Sequence, residues 1–367
     1  MQHLLKTRSG AVALSALAVS AIAIGLPSLA RAQVTASPPY AVRVFATNPP
    51  QTSQPDSIVT WKGDVIVGYQ NHVAKDGSDN KSSTIVEFDS RGAVKRAFSV
   101  KGHNDGLRVV GENDLWAVQN EDANPNLVVI DLESGTQTTY QFPPAPHGGG
   151  YDDIVVRGGV VYLTASNPNL DAQGNNVFPA LVRARLWMDK VFLETVLMGN
   201  ASATNITTGA INQLNLTDPD SMTTDLNGDV VFVSQADSEL IFVKQVGSAE
   251  QTVGYLPITS PVSTATDKTI TIDDTYYARA NSDYLLVTDV GGVGSPGGIY
   301  KITRNDFGFS IGQAYSASDT YGMVGTLGLD TGVVTPIVTG LHSARGLMFV
   351  RKESSEHRGE SSERRDE

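Results

Sequence analysis

From Gln33 onward, apolar residues fall at alternate positions or in short runs, broken by clusters of Gly, Asn, Asp and Ser. Almost no stretch shows the 3.6-residue period of an amphipathic helix, so the pattern predicts short strands joined by tight turns. A unit recurs: an Asp-containing polar turn, a short strand, a Gly/Asn turn, then a more apolar strand. Its copies are Pro55–Trp61 with Asp64–Tyr69, Asn104–Val109 with Asp114–Val118, Tyr151–Val156 with Val160–Thr164, and Pro219–Asp225 with Asp229–Val233. A weaker fifth copy pairs Tyr276–Ala278 with Tyr284–Thr288, and Ser343–Val350 reads as a last inner strand with no full unit after it. The copies begin roughly 45 to 70 residues apart, the period of propeller blades with variable loops.

Third strands follow at Thr84–Phe88, Asn126–Ile130, Leu181–Arg185, Glu239–Val243 and Gly298–Ile302, and a fourth strand is legible at Val334–Val338. Four short strands per unit is the content of a blade. The expected fold is all-β, a β-propeller of six four-stranded blades. Val42–Phe45 is expected to complete the blade of Ser343–Val350, so that N- and C-terminal strands close the ring and remove its open edges. A β-sandwich or two smaller β domains is the alternative. Asp76–Ser83, Asn167–Val177 and Gly199–Asp218 read as loops, and Trp61, Trp116 and Trp187 as core.

Composition narrows the function classes. The chain has 367 residues, 40% of them hydrophobic and 18% charged, with 35 Gly and 17 Pro; this suits a turn-rich β fold with a packed core. Cysteine is absent, which excludes disulfides, a thiolate nucleophile, Cys-ligated zinc and a lipoprotein anchor. Met1–Ala32 reads as a secretory signal peptide: Lys6 and Arg8 precede an apolar run from Gly10 to Leu29, and Ala30-Arg31-Ala32 fits the cleavage pattern. Loss of Lys6, Arg8 and Arg31 with this leader takes the formal charge from −12 to about −15. The domain organisation expected is a leader at 1–32, a propeller at 33–350 and a disordered, charged tail at 351–367. The mature chain is expected in the periplasm or outside the cell, as a monomer acting on a small molecule. An acidic chain lacks the basic face that nucleic acid needs, and no later segment is apolar enough to cross a membrane.

In a propeller the turns entering the inner strands meet at one mouth. Here those turns bring Asp56, Asn104 with Asp105, Asp152 with Asp153, and Asp220, with His103, His147 and His342 close by. Oxygen donors suit Ca²⁺ or Mg²⁺, and added His donors admit Zn²⁺ or Mn²⁺. The same Asp residues are also ordinary turn caps, so both readings stand at this point. His147-Gly148-Gly149-Gly150 has no G-x-S-x-G elbow to accompany it and reads as a tight loop. Gly291 to Gly298 is Gly-rich but opens no helix, so it fits no phosphate-binding fingerprint.

Asn104-Asp105-Gly106 with Leu115-Trp116-Ala117, and Pro219-Asp220-Ser221-Met222 with Asp225 and Asn227-Gly228, resemble elements of the gluconolactonase-like family, the senescence-marker and luciferin-regenerating propellers. The P-D-x-(I/M) and D-G-L elements are also similar to those of NHL-type propellers. The resemblance implies that Asp56, Asp153 and Asp220 hold a divalent cation, Ca²⁺ first among Mn²⁺, Mg²⁺ and Zn²⁺. It also implies that Asp153 and Asp220 serve catalysis and that Asn104 faces substrate, with His103, His147, His342 and Arg345 as further candidates for substrate contact. Two positions depart from the family: Gly102 stands where it has an Arg, and Pro55-Asp56-Ser57-Ile58 replaces its E-G-P-x-W. The function implied is an exported, metal-dependent, lactonase-type hydrolase. The alternative is a non-catalytic propeller that binds a small molecule, glycan or protein at the same mouth.

Overall fold

The computed structural model describes residues 33–262, 270–292 and 296–351. The proposed leader and nearly all of the charged tail lie outside them. All regular structure among the described residues is strand and none is helix. Two short N-terminal strands, β1 (Thr35–Ala36) and β2 (Tyr40–Ala46), precede the repeats. The first repeat is a four-stranded antiparallel sheet of β3 (Pro55–Trp61), β4 (Asp64–Tyr69), β5 (Ser82–Phe88) and β6 (Val94–Lys101). Its first hairpin shows how the sequence dictates it. Val65-Ile66-Val67 is β-branched, which favours a pleated, packed surface. Lys62 and Gly63 take φ of 47° and 86°, the left-handed pair that a two-residue hairpin turn requires.

The second repeat holds β7 (Asn104–Val110), β8 (Asp114–Gln119), β9 (Asn126–Asp131) and β10 (Gln137–Gln141), and the third β11 (Gly150–Arg157), β12 (Val160–Ser166), β13 (Pro179–Trp187) and β14 (Lys190–Met198). A single parallel bridge, Gln141 to Lys190, joins their outer edges into one eight-stranded sheet. A hairpin of β15 (Ser202–Asn205) and β16 (Ile211–Gln213) follows, inside the segment read from sequence as a loop. It extends the fourth repeat, β17 (Pro219–Thr224), β18 (Val230–Ser234), β19 (Glu239–Lys244) and β20 (Thr252–Pro257), through parallel pairing of β15 with β20.

The last two sheets interleave. β21 (Thr275–Tyr277) does not pair with β22 (Ser282–Asp289). The chain makes β22 and β23 (Gly298–Arg304), then returns with β24 (Ala314–Ser318), β25 (Met323–Leu327) and β26 (Val334–Thr339) to pair β24 with β21, and finishes on β27 (Ala344–Arg351) against β22. This corrects the fifth copy expected from sequence: Tyr276–Ala278 and Tyr284–Thr288 belong to different sheets. β1 adds to the edge of the β21-β24-β25-β26 sheet and β2 to the outer edge of the β27-β22-β23 sheet. Val42–Phe45 and Ser343–Val350 therefore share one sheet.

The apolar side chains collect between neighbouring sheets. One cluster joins Tyr69, Phe88 and Leu107 to Tyr284 and Met348; others join Trp116 to Leu163, Leu181 to Phe232, Leu256 to Met323, and Tyr315 to Phe349. Both faces of the central strands are covered, as in stacked sheets. Trp116 is core, but Trp187 is 60% exposed at the tip of the β13–β14 hairpin, against expectation. The first strands touch in a cyclic order: β3 and β7, β7 and β11, β11 and β17, β17 and β21, β21 and β27, β27 and β3.

Candidate functional site

Five of these first strands slip by one residue at the same place, where two residues stand opposite one on the neighbouring strand. The slips fall at Asp56-Ser57, Asp105-Gly106, Asp152-Asp153, Asp220-Ser221 and Arg345-Gly346. Such bulges re-aim a side chain out of the alternation. The first residue of each slip turns into one polar pocket, which Asp56, Asp105, Asp152, Asp220 and Arg345 line together. Asp273, just ahead of β21, supplies the sixth position; its N–H donates to Ala317 O (3.0 Å) while Ala317 N–H donates to Asp274 O (2.9 Å).

In four of the slips the second residue does structural work; in the fifth, Ser221 donates to Asp220 Oδ1 (3.2 Å) within the pocket. Asp153 Oδ2 accepts Met222 N–H at 2.7 Å, from the next first strand, and its Oδ1 accepts Ile154 N–H at 2.7 Å. Asp274 repeats this, taking Leu347 and Thr275 N–H at 2.7 Å each. Ser57 Oγ donates to Asp105 O. Gly106 and Gly346 approach the carbonyls of Asp152 and Asp56 so closely that a Cβ would collide with them. Beneath the pocket, Arg108 donates through Nε to Ile154 O (2.7 Å) and through Nη2 to Met222 O (3.2 Å), crossing between first strands.

Within the pocket, Arg345 Nη1 donates to Asp56 Oδ2 at 2.7 Å, and Gln70 Nε2 bridges Asp56 to Asp105 Oδ1, the latter at 3.0 Å. Gln235 Nε2 reaches Asp273 Oδ1 at 3.5 Å on the far side. The Lys75 ammonium meets Glu121 Oε1. His103 Nδ1 lies 2.7 Å from the carbonyl of Val73. A carbonyl only accepts, so Nδ1 carries the proton, and in the neutral ring Nε2 presents a lone pair. That Nε2 is 3.6 Å from Asp105 Oδ2 and 3.9 Å from Glu121 Oε1. His103, Asp105 and Glu121 are 3%, 7% and 6% exposed, and neither His103 Nε2 nor Asp105 Oδ2 has a hydrogen-bond partner. The three donor atoms lie within 4.8 Å of one another. Such a set of two carboxylates and an imidazole nitrogen fits a divalent cation.

Electrostatics point the same way. Burial first, then neighbouring carboxylates, push Asp105, Asp152, Asp220 and Asp273 well above the usual carboxylate range. Asp218, at the rim, is raised by burial to about 6. Burial acts on Glu121 too, but the Lys75 ammonium and the neighbouring Asp105 and Asp152 carboxyls together outweigh it and hold Glu121 at about 2. Carboxyls crowded into one poorly hydrated space cannot all ionise unaided; they keep protons or share cations.

Of the residues singled out from sequence, Asp56, Asp220 and Arg345 line the pocket and His103 borders it. Four do not. Asp153 lies one step deeper, its oxygens taken by backbone N–H groups. Asn104 is fully buried between sheets, its Nδ2 donating to Val118 O (3.1 Å). His147 is pinned to its own loop through Nε2 and Gly150 O (2.7 Å) and packs edge-on to Tyr151. His342 is exposed against Gly292, outside the pocket lining. Asp105 and Asp152 stand beside Asn104 and Asp153, which the sequence singled out, because alternation alone does not reveal a one-residue bulge. Asp273 went unassigned, although Ile272-Asp273-Asp274-Thr275 repeats the pattern of Tyr151-Asp152-Asp153-Ile154. Glu121, Lys75 and Asp218 sit on connecting segments with no motif to mark them.

No family model matches the chain, and no curated protein matches it. Among solved structures it is similar to virginiamycin B lyase from Staphylococcus aureus, with 10% identity and a TM-score of 0.46 over 85% of this chain and 100% of that one. It is also similar to a candidate gluconolactonase, with 11% identity and a TM-score of 0.42 over 84% and 83%. A third likeness is to glutaminyl cyclase from Myxococcus xanthus, with 8% identity and a TM-score of 0.40 over 87% and 97%. Likenesses at this level fix neither an activity nor a ligand for this chain.

Proposed function

We propose that this chain is an exported, six-bladed, ring-closed β-propeller that binds a divalent cation beside its acidic mouth and hydrolyses a lactone or related ester there. The cyclic contact order of β3, β7, β11, β17, β21 and β27 supports the ring. The observation that carries the metal reading is the convergence of two orphaned, buried donors, His103 Nε2 and Asp105 Oδ2, beside Glu121 Oε1. Burying such atoms unpartnered costs about 1–3 kcal/mol each, a cost that a ligated cation removes. A nitrogen among the donors favours Zn²⁺ or Mn²⁺ over the Ca²⁺ expected from sequence. When bound, the cation supplies Lewis-acid polarisation of an ester carbonyl and a more acidic water.

The chain's own groups supply the rest. Hydrolysis adds water across the acyl C–O bond, with one water proton leaving the nucleophile and one reaching the departing alkoxide. Asp220, raised by burial and accepting from Ser221 Oγ at 3.2 Å, is the base that takes the first and returns it to the leaving oxygen. Arg345, fixed by Asp56, offers positive charge to a developing oxyanion. The rival is a cation-binding propeller without catalysis. It is favoured by one observation: the pocket is a cavity of about 50 Å³ with no apolar lining, room for an ion and its water but not for a sugar-sized substrate, which must sit above it.

The test is metal analysis of purified protein, then calorimetry with Zn²⁺, Mn²⁺ and Ca²⁺ on wild type, His103→Ala and Asp105→Asn, followed by a lactone and ester screen. Tight one-site binding lost in both variants, with turnover dependent on the bound ion, is the expected result. Binding without turnover of any ester leaves the rival, and absence of binding removes the metal reading.

A further inference from the structure

The donor set contains a cation of its own. Lys75 lies in the loop between β4 and β5, and its ammonium contacts Glu121 Oε1, one of the three atoms that converge with His103 Nε2 and Asp105 Oδ2. The loop backbone is tied to the same neighbourhood independently of that side chain. Val73 O accepts from His103 Nδ1 at 2.7 Å, and Lys75 O accepts from Asp122 N–H at 3.2 Å. Ala74 N–H donates to Asp79 Oδ2 at 3.1 Å, and Gly77 N–H to Ala74 O at 2.8 Å. The Lys75 side chain, by contrast, is 53% exposed. It has a path to solvent that breaks no backbone bond and leaves His103 in place.

An ammonium is a compact point charge on a flexible stem; held against Glu121 Oε1 it takes up one lone pair of that oxygen and repels an incoming divalent cation at close range. We propose that Lys75 is the resident counter-cation of the His103–Asp105–Glu121 centre and must swing out for a divalent cation to enter, so that it sets how strongly a cation must bind to occupy the site. The inference rests on the metal reading above. The displacement is a penalty common to every incoming cation. Its removal therefore tightens binding of Zn²⁺, Mn²⁺ and Ca²⁺ by a similar factor rather than changing their order.

The experiment uses the full-length mature protein with Lys75→Met, which keeps the stem and removes the charge, and Lys75→Arg, which keeps a charge at the position. Calorimetry with each metal salt reads affinity. Acylation of Lys75 by an N-hydroxysuccinimide ester, followed by mass spectrometry, reads the position of the ammonium in wild type. Expected are a gain of about tenfold or more in affinity for all three metals in Lys75→Met, the size of an ordinary coupling between two ligands. Lys75→Arg should gain little, and Lys75 in wild type should acylate faster once Zn²⁺ is added. Equal affinity of wild type and Lys75→Met, or weaker binding by the variant, overturns the role of Lys75 and leaves the metal centre standing. Failure of both proteins to bind any of the three metals overturns both readings together.

Discussion

The first four repeats and the last two build similar sheets by different routes. From β3 to β20 the four strands of each repeat are consecutive in the chain, so its hairpins are local. From β21 to β27 the chain leaves one sheet after its first strand, builds the middle of the next, and comes back. The N-terminal strands lock this exchange, β1 on one sheet and β2 on the other. Local hairpins close cheaply in loop entropy, whereas the pairings of β21 with β24 and β22 with β27 span much longer loops. The two regions share a pocket but differ in what holds them together.

The sharpest way to break the comparison is to delete residues 33–48. The interleaved pair loses both outer strands, and hydrogen exchange should quicken across β22 to β27 while β7 to β19 stay protected; uniform loss of protection would show that the two regions open as one. Next in size are Gly106→Ala and Gly346→Ala, one in each region. Each forces a Cβ into a neighbouring carbonyl and should destabilise by ~3 kcal/mol, as overpacking does, measured by urea unfolding. A smaller effect is expected from Asp153→Ala and Asp274→Ala. They strand Met222 N–H and Leu347 N–H at about 1–3 kcal/mol apiece, and equal losses would mean that the interleaved region gains nothing from its entanglement.

The pH dependence is gentle per pH unit but accumulates over several. Burial raises Asp218 to about 6 and Asp274 to about 8, so between the unfolded carboxyl value near 4 and these values the folded chain binds more protons than the unfolded one. Stability from these groups is thus fully present near pH 4 and falls as pH rises through 6 and 8, by at most ~1.4 kcal/mol per pH unit for each carboxyl. Asp274→Asn should remove the slope between pH 6 and 8 and roughly halve it between pH 4 and 6, where Asp218 still contributes, as read from melting temperature against pH. Smallest is Trp187→Ala, expected within about 0.5 kcal/mol because the side chain is exposed.

The same contrast explains what the sequence disclosed. The hairpins Pro55–Tyr69, Asn104–Val118, Tyr151–Thr164 and Pro219–Val233 were legible because hydrophobic alternation and turn residues are local signals. Tyr276–Ala278 and Tyr284–Thr288 carry the same local signature, yet their partners lie elsewhere, and no local pattern names a distant partner. At the site, Asp56 and Asp220 were legible as acids entering first strands. Asp153 and Asn104 were each one residue from the side chain that faces the pocket, because strict alternation has no place for a one-residue bulge. Glu121 and Lys75 meet only through tertiary folding of two connecting segments.

The slip itself separates two jobs that most binding sites combine in one residue. In all but the Asp220-Ser221 slip, the second position carries the masonry, as a carboxylate, a hydroxyl or a glycine fitted to the adjoining strand. The first position carries only the chemistry of the pocket. A lineage bearing this arrangement could replace the acids at 56, 105, 152, 220 or 273, or the arginine at 345, one at a time, and so change what the pocket holds while the joints between strands stay untouched.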